Sequence, residues 1–137
     1  MADTSALRAQ ANTKSAQKTE KEQAKRVVDQ KLERLREVDR QVAIEKVHIE
    51  NLCQVIRDKE EPGDMWKGQT RQQHSDYVRN DFNSPCQKYY EEVDILHDAV
   101  VRKIAELENQ SQELGGTINW LTQAINTLLG DIRAASN

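Results

Sequence analysis

The chain reads as all-α: long helices that form a coiled coil, an extended helical hairpin or a bundle, with an irregular elbow between them. Three observations carry that expectation. Val93, Val100, Leu107, Leu114, Leu121 and Leu128 recur at sevens, and His97, Ile104, Ser111, Ile118, Ile125 and Ile132 hold the alternate seam position. This 4-3 alternation, mostly leucine at d and isoleucine at a, has the 3.5-residue period of a left-handed coiled coil. Second, five Gly and two Pro in 137 residues leave few places to turn, and 4% aromatics offer little of the area that builds compact cores. Third, abundant Glu, Gln, Lys, Arg, Ala and Leu suit extended helix.

Taken in order, residues 1–24 are Ala, Lys, Gln, Thr and Ser with one leucine. Without an apolar stripe a helix there is marginal. The segment is either a frayed lead-in to the next helix or a disordered tail, and disorder is the expectation. Lys14, Lys18, Lys21 and Lys25 would alternatively rest on an acidic partner surface.

Residues 25–61 form the first long helix. Val28, Leu35, Val42, Ile49 and Ile56 recur at sevens; Val38 and Leu52 fill d, and Lys31 and Glu45 take the other two d positions. Leu32, Ile44, Val47 and Val55 widen the stripe, which suits packing against more than one neighbour. Charges at two d positions make a poor symmetric dimer. Pro62-Gly63 stops the helix, because proline cannot continue the hydrogen-bond ladder and glycine permits reversal.

Residues 62–84 are the irregular elbow, with room for a short helix over Gln69–Asn80. Met65, Trp66, Tyr77, Val78 and Phe82 need a home there, either capping the open end of a hairpin or anchoring a partner. The second long helix, 85–134, opens with Ser84 as N-cap, Pro85 at N1 and Gln87 completing a capping box. Gly115-Gly116 interrupts its repeat at e and f. The pair predicts a hinge, or a close approach by another backbone. Trp120 falls at c and Leu129 at e, off the seam, where a third helix would cover them.

Tests for chemistry return little. Glu45-x-x-His48 and Asp94-x-x-His97 would come level in a hairpin, as in di-metal bundles, but the seams lack the two further glutamates such a centre needs. His97 reads better as a polar seam residue that fixes register, and His48 as solvated. Cys53 and Cys86 have neither zinc-ligand spacing nor a glycine-rich oxyanion loop, and read as buried free thiols. No phosphate-binding glycine motif follows a strand. No catalytic residue, cofactor or metal ligand is therefore expected, nor a small-molecule substrate.

Charge argues similarly. Residues 1–57 hold 12 Lys/Arg against 9 Asp/Glu, and residues 58–137 hold 8 against 14. Opposite arms attract weakly. Lys25, Arg26, Lys31, Arg34, Arg36 and Arg40 are interleaved with Asp29, Glu33, Glu37 and Asp39, which argues against a phosphate-tracking face. No apolar run is long enough to span a bilayer, and the amphipath Leu114–Ile132 lacks the basic face of a membrane-surface helix. Two isolated cysteines and the lack of an apolar signal core in residues 1–27 point to a cytoplasmic or nuclear setting.

The function expected is a non-enzymatic structural or scaffold subunit that recognises partner helices by heptad packing, in a hetero-oligomer before a homodimer. Partner contacts fall to Leu35, Val42, Ile49, Leu52, Ile56, Trp66, Val93, Val100, Ile104, Leu107, Leu114, Ile118, Trp120, Leu121, Ile125, Leu128 and Ile132. Lys31, Glu45, His97 and Ser111 would penalise wrong registers. The alternative is a small helical chaperone or adaptor for one client, and after it a nucleic-acid-associated coiled coil.

Overall fold

The computed structural model describes residues 4–60 and 68–137. Their regular elements are all helical: α1 (Ser5–Glu60), α2 (Gly68–Val78), a π-helical turn (Arg79–Asn83) and α3 (Ser84–Ser136). The chain is an all-α helical hairpin in which α1 pairs antiparallel with α3, and α2 with the π turn supplies the elbow. Two compact units divide it, Met1–Arg34 with Ile104–Asn137 and Leu35–Lys103.

In the first unit Ser111 Oγ donates to Asp29 Oδ1 at 2.6 Å, Lys14 Nζ lies 4.7 Å from the Trp120 ring centroid, and the Lys25 stem passes Gly115. Ala11, Leu32, Leu107 and Leu121 are buried between the two helices. Residues 5–24 are thus helical, which corrects the disordered tail. The apolar stripe that this segment lacks is provided by α3, and tertiary packing overrides its weak intrinsic preference.

In the second unit the register runs Asp39 with His97, Lys46 with Asp94 and Cys53 with Cys86. Here the d positions assigned to α1 are overturned. Lys31, Val38, Glu45 and Leu52 are exposed, whereas Leu32, Asp39, Lys46 and Cys53 are covered by α3. Counting forward from Leu35 or Ile49, the seam steps by four, not three. Leu32 and Cys53 are among the most buried side chains of α1, and Cys53 is 2% exposed.

The cysteines are a second correction. They form a disulfide, with Cα atoms 5.7 Å apart and a sequence separation of 33. Facing seam positions bring them together, not local sequence spacing. Free thiols are one of the two grounds for a cytoplasmic or nuclear setting, and their pairing removes that ground.

α1 stops at Glu60, and Pro62, Gly63, Met65 and Trp66 lie outside the described residues. Its last carbonyls are met by α2: Ser75 Oγ donates to Glu60 O, and His74 Nε2 sits against Lys59 O, both at 2.7 Å. These side chains satisfy groups that a helix end leaves open. The Glu60 carboxylate accepts in turn from Arg79 Nε at 2.7 Å and Asn83 Nδ2 at 3.2 Å. Gly68 enters α2 with φ of 67°, a left-handed conformation that glycine takes without steric cost. Tyr77 and Phe82 pack edge to face at 5.4 Å and are otherwise exposed, while Val78 is buried.

α3 begins at Ser84, but Ser84 is not the N-cap expected there. Ser84 is itself helical, with φ of −62° and ψ of −46°, and its N–H bonds to Arg79 O, five residues back. Pro85 lacks an N–H and its ring crowds the carbonyl four residues earlier. The wider i→i+5 turn over Arg79–Asn83 makes room for it, so helix passes through where a cap was expected. Gly115-Gly116 also lie inside continuous helix, and no hinge breaks α3. A Cβ built on Gly115 would meet only the Lys25 stem, at 3.6 Å.

Candidate assembly surfaces

Between Ile104 and Ile132 the covered face of α3 repeats isoleucine and leucine, with Leu121 2% exposed at its centre. The α1 residues turned toward it are not their match. After Leu7 and Ala11 the half-covered positions are Lys14, Lys18, Lys21 and Lys25. Lysine buries its methylene stem while its head stays in water, so it covers apolar surface without filling it. The heads find local partners: Lys14 lies over Trp120, and Lys25 Nζ donates to Asp29 Oδ2 at 2.9 Å. Beside Ile118 an open groove of about 390 Å³ is walled by polar side chains of α1 from Glu22 to Glu33. The ribbon is covered, by lysine stems over its middle and by Leu7, Ala11, Val28 and Leu32 on either side of them.

The second unit closes its seam with charge. His97 Nε2 lies 2.7 Å from Asp39 Oδ1, and Lys46 Nζ donates to Asp94 Oδ1 at 2.6 Å, with His97 Nδ1 3.5 Å away. The same ammonium sits 5.8 Å from the Tyr90 ring centroid. The hydrogen bond that Lys46 donates to Asp94 holds its ammonium above the usual lysine range, against the opposing effect of burial. This network replaces the suggested metal arrangement. Asp94 and His97 are engaged across the seam, while Glu45 and His48 face solvent 4.0 Å apart. Among the described residues no three His, Cys, Asp or Glu side chains gather as a metal site would require.

Outside that seam the second unit carries apolar residues that are exposed among the described residues. Val38 and Leu52 sit at g on α1, and Tyr89 and Leu96 at g on α3; antiparallel pairing sets g beside g. All four are exposed, Leu52 at 55%. Val55 stands next to them at c, also exposed. The opposite flank is more polar, with Arg36, Glu50 and Arg57 on α1 and Asp94 on α3 beside an exposed Val101, while Glu45 separates Val38 from Leu52 on the first. One side of this helix pair therefore exposes more apolar side chain than the other.

The residues expected to touch partners divide in three. Leu35, Val42, Ile49, Ile56, Val93, Val100, Ile104, Leu107, Leu114, Ile118, Leu121, Ile125, Leu128 and Ile132 lie in the seam between α1 and α3 of the same chain, so their neighbour is this chain's own helix. Leu52 and Trp120, the latter 59% exposed, lie outside it. Trp66 is outside the described residues. Sequence reading missed Leu32, Asp39, Lys46 and Cys53 as one seam position, although their strict seven-residue spacing is visible. It also missed Val38 as a flank residue, and Tyr89 and Leu96 altogether.

No described helix is long and apolar enough to cross a membrane. Comparison with known proteins finds no matching family model, no matching curated protein and no matching solved structure.

Proposed function

We propose that this chain is a non-enzymatic structural or scaffold subunit that assembles with helices of unlike chains. The observation that carries the reading is the exposed flank of Val38, Leu52, Val55, Tyr89 and Leu96 on one side of the second unit. Contiguous apolar surface left open on a folded chain marks interaction sites. The hairpin does not need these residues for its own seam, which is closed by Val42, Ile49, Val93, Val100 and the charged pairs. A third helix laid along the g flank would bury them, with Leu52 and Tyr89 as the central anchors.

The preference for unlike chains no longer rests on charged d positions, since Lys31 and Glu45 are not in the seam. It rests on the asymmetry of the flanks: Val38, Leu52, Tyr89 and Leu96 are exposed on one side, against Val101 alone among the large apolar residues on the other, so a single partner helix along the first side suits the unit. The test uses the full chain with its co-purifying partner. Leu52→Asp with Leu96→Asp abolishes the complex in size-exclusion chromatography with light scattering, while helicity and thermal midpoint stay unchanged. A complex that survives both substitutions contradicts the proposal.

A further inference from the structure

The lysine-covered middle of the ribbon in the first unit points to a second interaction, distinct from the flank just described. We propose that α3 from Ile104 to Ile132 pairs, parallel and in register, with the same stretch of a second copy, displacing the lysine-bearing N-terminal part of α1 that covers it in the single chain.

Four features of the chain select that occupant. The ribbon carries Ile104, Ile118, Ile125 and Ile132 at a, and Leu107, Leu114, Leu121 and Leu128 at d. Isoleucine at a with leucine at d is the combination that favours two parallel strands, each the match of the other. Next, the present cover is inferior to that match: Lys14, Lys18, Lys21 and Lys25 offer stems where a second copy would offer knobs, and a polar-walled groove stands open at Ile118. Ser111, the one polar a residue, faces Asp29 in the hairpin and would face its own copy in the dimer, which fixes in-register pairing.

The flanks are the last feature. Parallel pairing sets each g position beside the e position of the following heptad on the other copy. That brings Gln110 to Gly115, Thr117 to Thr122 and Ala124 to Leu129. None of these pairs sets like charges together. Gly115 lets the two backbones come close, and Leu129, 48% exposed in the single chain, gains an apolar neighbour. The covering segment keeps one advantage, since it is tethered and acts at high effective concentration. The exchange is therefore concentration-dependent, with α1 as a removable cover.

Two changes in the full chain test this. Replacing Lys14, Lys18, Lys21 and Lys25 together by leucine improves the cover, so self-association measured by sedimentation falls by at least about tenfold. Ser111→Cys places one thiol at the centre of a parallel seam, and mild oxidation links it to Ser111→Cys of the second copy. The proposal is overturned if the wild-type chain stays monomeric up to millimolar concentration, or if the leucine variant dimerises as tightly as wild type. It is equally overturned if the dimer forms but Ser111→Cys fails to link to itself. None of these results bears on the Leu52 flank, whose failure is read separately from loss of the unlike-chain complex.

Discussion

Lys46 occupies a seam position that an aliphatic side chain would ordinarily fill, and its charge is kept there by Asp94. Because the folded chain raises its proton affinity, the stabilisation is fully present below the ordinary lysine value of 10.5. It is lost as pH climbs through the raised value. Thermal melts should therefore show an alkaline loss of stability that Lys46→Met abolishes. Gly116 gives a simpler test. A Cβ added there meets nothing within 4 Å and the backbone is helical. Gly116→Ala should therefore raise stability by about 1 kcal/mol in denaturant titration. Single residues are also where the sequence was least legible. A heptad whose seam position reads Leu32, Asp39, Lys46, Cys53 looks polar, and Val38 and Leu52 one place earlier look more like core. Hydrophobicity points to the wrong neighbour because the polar groups find hydrogen-bond partners across the seam in residues far away in sequence.

At the scale of the helix, α3 was the readable element. Its covered positions fall on the same 4-3 alternation that the sequence displays, since isoleucine and leucine need no distant partner to announce their side. The start of α3 was misread because Ser84, Pro85 and Gln87 spell a cap locally, while the π turn before them is a backbone adjustment no side chain signals. Substitutions in the two helices should separate accordingly. Leu121→Ala should cost about 2–3 kcal/mol, toward the low end for a buried leucine because flexible lysine stems opposite can collapse into the space. Leu52→Ala, on the exposed flank, should stay within about 0.5 kcal/mol. Equilibrium unfolding followed by circular dichroism measures both. The Cys53–Cys86 link closes a loop of 33 residues, so its reduction should lower stability by about 3–4 kcal/mol and bring down the thermal midpoint. Cys53→Ser should lower it as well and remove the dependence on reductant.

For the whole molecule, the consequence is a change in who the partner is. The sequence displays an apolar ribbon that must be buried against a helix, and says nothing of which chain supplies that helix. The structure gives the nearest answer: α1 of the same chain, antiparallel, with lysine stems over one unit and paired charges inside the other. The assembly we propose is thereby moved from the seam to the flank around Leu52 and Tyr89, and to exchange at the lysine-covered ribbon. The most direct measurement of that central claim is carbodiimide coupling of Lys46 to Asp94, whose polar atoms lie 2.6 Å apart, in an equal mixture of unlabelled and heavy-isotope chains. Mass spectrometry should find this cross-link joining peptides of the same isotope only. Links that mix light and heavy peptides in statistical proportion, or Lys46 coupled elsewhere, would contradict a seam closed within one chain.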